Sequence, residues 1–205
     1  MEHFESPYLD FNKEIRIKEQ HLILWDQIGK IQHATFHLND SIPVEERKYL
    51  KSIKESFLKL NPKPWDPDTQ KRYYRLIGKR QDTLLDKGLG KCFFRNPDLR
   101  KILEDSIKSY HENSFFLISC VIMPNHVHML LIMEPGLDIE KVLGNLKRYV
   151  ATAINKKIGR KGEMWYKENY CRLMRSKEHY NFTLSYIKEN PKYLHKGEFS
   201  YWENI

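Results

Sequence analysis

Ser114-Phe-Phe-Leu-Ile-Ser-Cys-Val-Ile-Met-Pro-Asn-His-Val-His-Met-Leu-Leu-Ile-Met133 holds two apolar runs of strand length separated by Pro124-Asn125. A Pro-Asn pair favours a turn, so residues 114–123 and 126–133 are predicted to form an antiparallel hairpin. Strand side chains alternate between faces, which sends His126 and His128 out of one face with backbones about 6.5 Å apart while Val127 points into a core. One metal ion can bridge two imidazoles so placed. An isolated His-x-His is otherwise a pair of partly buried histidines with ordinary hydrogen bonds. Here the pair follows a turn directly and opens a central strand, a setting both rigid and accessible.

Working outward, Ile31-Gln-His-Ala-Thr-Phe-His-Leu38 suits an earlier strand, ended by Asn39-Asp-Ser-Ile-Pro43. Residues 44–87 are highly charged, with Tyr, Leu and Ile at three- and four-residue intervals and a break at Asn61-Pro-Lys-Pro-Trp-Asp-Pro67, which predicts two helices around a bend. Asn96-Pro97 starts a helix over residues 97–111. Asp138 caps another over 139–158, whose apolar stripe includes Val142, Leu146, Val150 and Ile154. Residues 170–175 suit a last strand, and Ser176 precedes a helix over 177–190 that Pro191 ends. The order of elements implies an α+β fold: an antiparallel sheet with helices packed mainly on one side. His33 and His37 share a face of the first strand but lie about 13 Å apart along an extended backbone, too far for one ion.

With 205 residues, 40% of them hydrophobic, the chain is expected to fold as one domain over residues 1–205, with residues 44–88 inserted. No run approaches the roughly 20 apolar residues of a membrane span and the start lacks a secretion signal, so a soluble, cytoplasmic protein without membrane partners is expected. Cys92, Cys120 and Cys171 lack the spacing of a zinc site or disulfide framework and are read as packed thiols. The net charge is +8. Residues 141–175 hold ten basic and two acidic residues, an excess equal to that whole net charge. Such a segment, interleaved with Tyr149, Trp165, Tyr166 and Tyr170, suits the phosphates and unpaired bases of single-stranded nucleic acid; the plain alternative is a solvated helix face.

Tyr186 and Asn190 are four residues apart on the last predicted helix, so they share one face. A nucleophile and a third metal ligand could be delivered together, although a helical tyrosine is more often a core aromatic and an asparagine before proline usually just ends a helix.

The strings Met123-Pro-Asn-His-Val-His-Met-Leu-Leu131, Gly162-Glu-Met-Trp-Tyr166 and Tyr186-Ile-Lys-Glu-Asn-Pro191, in this order and at these intervals, resemble the single-tyrosine HUH transposases, in particular the REP-associated tyrosine transposase branch. Thr35-Phe-His-Leu-Asn-Asp-Ser-Ile-Pro43 resembles the first strand of a subgroup with a helical insertion before Gly88-Leu-Gly-Lys-Cys92. The likeness runs over residues 32–196.

The resemblance implies a ferredoxin-like sheet and a divalent cation, magnesium or manganese, bound by His126, His128 and Asn190. It implies that Tyr186 cuts and rejoins single-stranded DNA near a hairpin or inverted repeat through a 5′-phosphotyrosine, with His126, His128 and Tyr186 as the catalytic set. Lys147 resembles a lysine of the preceding helix and Trp165 a tryptophan before the last strand. With Arg148, Lys156, Lys157, Arg160, Lys161, Arg172 and Arg175 they form the expected DNA-binding set. A homodimer stands open beside a monomer. The rival functions are a replication- or transfer-type HUH endonuclease and a catalytically silent nucleic-acid-binding module.

Overall fold

The computed structural model describes residues 6–18, 24–62 and 65–204. Two short strands, β1 (Arg16–Lys18) and β2 (Leu24–Asp26), pair antiparallel as a small sheet of their own. The chain then runs through β3 (Ile31–His37), α1 (Val44–Leu60) and α2 (Pro67–Tyr73). From α2 it passes through a π-helical turn, Tyr74–Gly78, into α3 (Lys79–Asp86). After a 3-10 turn at Phe93–Arg95 come α4 (Pro97–Tyr110), β4 (Phe115–Ile122), β5 (His126–Met133), α5 (Ile139–Lys157), β6 (Tyr170–Leu173), α6 (Lys177–Glu189) and β7 (Ser200–Glu203).

The main sheet is antiparallel throughout, in the order β6-β3-β5-β4-β7. Along the chain, β3-α4-β4-β5-α5-β6 is a βαββαβ unit whose fourth, first, third and second strands lie side by side, the ferredoxin-like arrangement expected. β7, absent from the sequence expectation, is added at the β4 edge.

Helix starts follow their caps. The Asn96 side chain accepts from the amides of Asp98 and Leu99 with Pro97 in the first turn, Asp138 accepts from Lys141, and Ser176 accepts from His179. The apolar stripes of α4 and α5 pack with Ala34, Phe36, Val127, Met129 and Leu131 on one face of the sheet.

The opposite face is also covered, which corrects the expectation of helices mainly on one side. There α6 packs through Leu184 and Ile187 against Ile31, Val121 and Leu130. The inserted helices build a second apolar cluster that reaches the sheet at Tyr170. The ring of Tyr170 stacks on Tyr74 at 5.8 Å between centroids, and Gly78 makes room for Tyr74, since a Cβ there would lie 2.6 Å from the ring. The insertion is also tied at its neck, where the Lys91 amide donates to Asp40 Oδ2 at 3.0 Å.

Cys92, Cys120 and Cys171 are buried thiols, none in a disulfide, as read from their spacing. No helix among the described residues is long and apolar enough to cross a membrane.

Candidate metal centre and nucleophile

β5 lies at the centre of the sheet, and its register sets His126 beside His37 and His128 beside Thr35 and Val121. His126 and His128 leave the face covered by α6 and the insertion, and both are fully buried. Burial, which penalises the charged form, holds both imidazoles and that of His33 well below the ordinary histidine pKa, with Arg172 adding to the effect at His33 and His128. All three are neutral at pH 7, the form in which a histidine can ligate a metal.

Each of the pair is oriented through its Nδ1. His126 Nδ1 donates to Asn125 Oδ1 at 2.7 Å, which turns the lone pair of Nε2 outward, and that Nε2 is buried without a hydrogen-bond partner among the described residues. His128 Nδ1 lies 2.9 Å from Thr35 Oγ1 and 3.1 Å from His33 Nε2, so with the proton on Nδ1 its Nε2 is also an acceptor. His33 therefore supports His128, while His37 stacks on Tyr166 and keeps its Nδ1 on the Leu38 carbonyl.

α6 delivers Tyr186 to the same place. Its hydroxyl lies 3.4 Å from His128 Nε2, and its ring meets that imidazole edge-on at 5.2 Å between centroids. Packing and chemistry meet in one side chain: the ring belongs to the apolar cluster under α6, but the hydroxyl faces the paired histidines. Burial first, then the carboxylates of Asp82 and Asp86, push the phenol pKa well above its ordinary value, so it stays protonated until something offsets that negative field.

Asn190 lies one turn beyond Tyr186, with its Oδ1 buried and without a partner while its Nδ2 donates to Asp86 Oδ1 at 3.3 Å. Asp86 joins the cluster although no motif or spacing marks it. One of its oxygens and one nitrogen each of His126 and His128 all lie within 4.8 Å of one another, and Asp86 Oδ1 is 3.7 Å from His126 Nε2. Two ligands of a single cation at about 2.1 Å lie roughly 3–3.5 Å apart, so small side-chain shifts close this set. These donors fit a divalent ion. Two imidazole nitrogens and a carboxylate converge on a spot where the buried Nε2 of His126 has no hydrogen-bond partner among the described residues, and the Asn190 amide reaches the carboxylate through its Nδ2.

The residues expected to bind DNA separate into four groups. Arg148, Lys156, Lys157 and Lys161 are exposed, but the first three lie on α5, which packs on the Val127 face, opposite the histidines. Arg160 is folded back onto Asn155 Oδ1 and the Gly162 carbonyl, at 2.9 and 3.1 Å. Arg172 pairs with His33 across β6 and β3, so it shares the histidine face. Its guanidinium lies 4.0 Å over the Tyr74 ring, and Arg175 follows, partly buried, just after β6.

Lys147 and Trp165 are corrections. Lys147 is 6% exposed, and its ammonium donates to the carbonyls of Tyr166 and Lys167 and to Asn169 Oδ1 at 2.8, 3.2 and 2.8 Å, tying α5 to the loop before β6. Trp165 is buried with its ring stacked on Phe94 and edge-on to Phe36, so it has no face to offer a base. Both serve the fold. The helical phase of Lys147, on the stripe of Leu143, Val150 and Ile154, was the signal that places it inside.

Residues 91–190, from just before the 3-10 turn to the end of α6, match the family described as "Transposase IS200 like". That segment, just under half of the chain, is what is similar to the IS200-like transposases. The segment contains the histidine pair, Tyr186 and Asn190, while Asp86 and the insertion lie outside it. Among solved structures, one described as a REP-associated tyrosine transposase bound to a REP hairpin aligns at 14% identity with a TM-score of 0.44, covering 82% of this chain and 69% of that one. No curated protein matches.

Proposed function

We propose that this chain is an IS200-like transposase that cuts and rejoins single-stranded DNA by attack of Tyr186 on a backbone phosphate, with a divalent cation at His126 and His128. The observation that carries this reading is the placement of the Tyr186 hydroxyl 3.4 Å from one neutral ligating imidazole, beside a second whose Nε2 is buried and unpaired.

Magnesium or manganese held by His126, His128 and Asn190 would supply polarisation of a non-bridging phosphate oxygen and offset the charge that builds up during attack. The chain's own groups do the rest. Asn125 and the Thr35-His33 pair fix the two imidazoles so that both Nε2 lone pairs converge. α6 holds the phenol against them. As Tyr186 Oη bonds to phosphorus the P–O3′ bond breaks, the 3′ oxygen takes up a proton to replace the one the phenol gives up, and a 5′-phosphotyrosine keeps the bond energy for rejoining. Arg172 and Arg175 line the strand's path on the histidine face, and the exposed cations of α5 hold more distant phosphates.

The motif likeness to REP-associated transposases supports a hairpin or inverted-repeat substrate. The set Tyr186, His126 and His128 assembles within one chain, so a homodimer need not exchange α6. The same likeness favours one domain with residues 44–88 inserted, working in the cytoplasm, where its DNA is.

The test is a denaturing gel. Wild-type protein with manganese and a single-stranded hairpin oligonucleotide should give a covalent adduct, and Tyr186→Phe should lose it while binding the hairpin within about twofold. An adduct that persists in the Phe variant overturns the assignment.

A further inference from the structure

We infer that Asp86, carried in by the insertion, is an anionic ligand of the site's cation, which makes the inserted helices part of the catalytic centre. The inference rests on the cation site proposed above and adds a residue outside the segment that matches the transposase family.

Three observations place Asp86 there. Its Oδ1 lies 3.7 Å from His126 Nε2, the buried nitrogen that lacks a partner. Asn190, already at the site, holds that same oxygen through its Nδ2 at 3.3 Å. The end of α3 is fixed by the residue that orients His126: Asn125 Nδ2 donates to the carbonyls of Leu85 and Leu89 at 3.3 and 3.0 Å while its Oδ1 accepts from His126. One buried amide thus sets the imidazole and the carboxylate together.

Charge makes a second argument. A carboxylate 42% exposed at the place where a DNA phosphate must dock repels that phosphate unless a cation lies between them. Paired with a cation it instead lowers the site's net charge and hardens the donor set. Two imidazoles and an amide alone favour nickel or zinc, whereas an added carboxylate shifts preference toward manganese and magnesium.

The experiment is manganese binding to the full chain by titration calorimetry, checked by the loss of the free manganese spin-resonance signal. It compares wild type with Asp86→Asn and His126→Ala, with circular dichroism verifying the fold. Asp86→Asn keeps the shape and a carbonyl oxygen but removes the charge. We expect its manganese affinity to fall at least tenfold and its nickel affinity to fall less. If His126→Ala loses manganese but Asp86→Asn stays within twofold of wild type for both metals, Asp86 is no ligand and this inference fails alone. If His126→Ala binds manganese as wild type does, the cation site itself fails. Should Asp86→Asn misfold, Asp86→Glu offers the same readout: a ligand displaced by one methylene weakens manganese binding, whereas a bystander leaves it unchanged.

Discussion

Replacing Asn125 by alanine should loosen the metal centre and the insertion in one step. Asn125 is fully buried and uses its side chain three times, donating to the carbonyls of Leu85 and Leu89 and accepting from His126. Alanine strands the N–H of the buried His126, at about 1–3 kcal/mol for an unsatisfied buried donor. The Leu85 and Leu89 carbonyls lose a donor too, at about 0.5–1.5 kcal/mol each if solvent partly replaces it. The sum is about 2–6 kcal/mol, which for a chain of this length lowers Tm by about 4–24 °C. Releasing His126 from its Nδ1–H tautomer should also weaken manganese binding about 10–100-fold, the usual cost of losing the group that orients a ligating histidine. Melting followed by circular dichroism, manganese calorimetry and nitrogen-15 spectra of the imidazole tautomers read these effects separately. A variant that melts within about 2 °C of wild type, binds manganese within twofold and keeps a single His126 tautomer would show that Asn125 holds neither element, contrary to the magnitudes above.

Two further outcomes follow from the placement of charge. The pKa of Lys147 is lowered by burial to about 8. Between that value and the ordinary lysine range the unfolded chain binds more protons than the folded one, so this residue's contribution to stability rises with pH over that window and is least favourable below it, by an amount on the order of 3 kcal/mol. Denaturant unfolding of wild type and Lys147→Met from pH 7 to 10 should show wild type gaining relative to the variant as pH rises; a difference independent of pH would place the ammonium in water. Secondly, Lys156→Ala with Lys157→Ala should lower the salt dependence of single-strand binding by about 1.4 log units per log unit of salt if both contact phosphates, since each contact contributes about 0.7. An unchanged slope, measured by fluorescence anisotropy from low to physiological salt, would confine the DNA to the histidine face.

The strands β3, β4 and β5 and the helices α4, α5 and α6 were legible because each carries a short-range period and a local cap. Two-residue alternation put His126 and His128 on one face, and the four-residue interval put Asn190 one turn beyond Tyr186. β7 was not legible. Tyr201 and Trp202 suit a strand, but four residues are too short a run for alternation to mark one, and pairing with the β4 edge decides it. Lys147 and Trp165 entered the DNA-binding set through the family resemblance, whereas the helical phase of Lys147 and the rings of Phe36 and Phe94 around Trp165 put both inside. The basic run looked like one surface, yet α5 carries part of it to the far side of the sheet and β6 brings Arg172 to the near side.

By itself, then, the sequence determined which side chains share a strand or helix face, and hence the imidazole pair, the phenol and the amide one turn on. Local geometry follows from backbone periodicity, which needs no distant partner. Only the tertiary structure decided which faces meet. It laid α6 over the histidines, so the phenol reaches His128. It also folded the insertion back, bringing Asp86 beside His126 across forty positions of chain. Those encounters depend on how apolar stripes bury one another across the sheet, a global balance that no local pattern encodes.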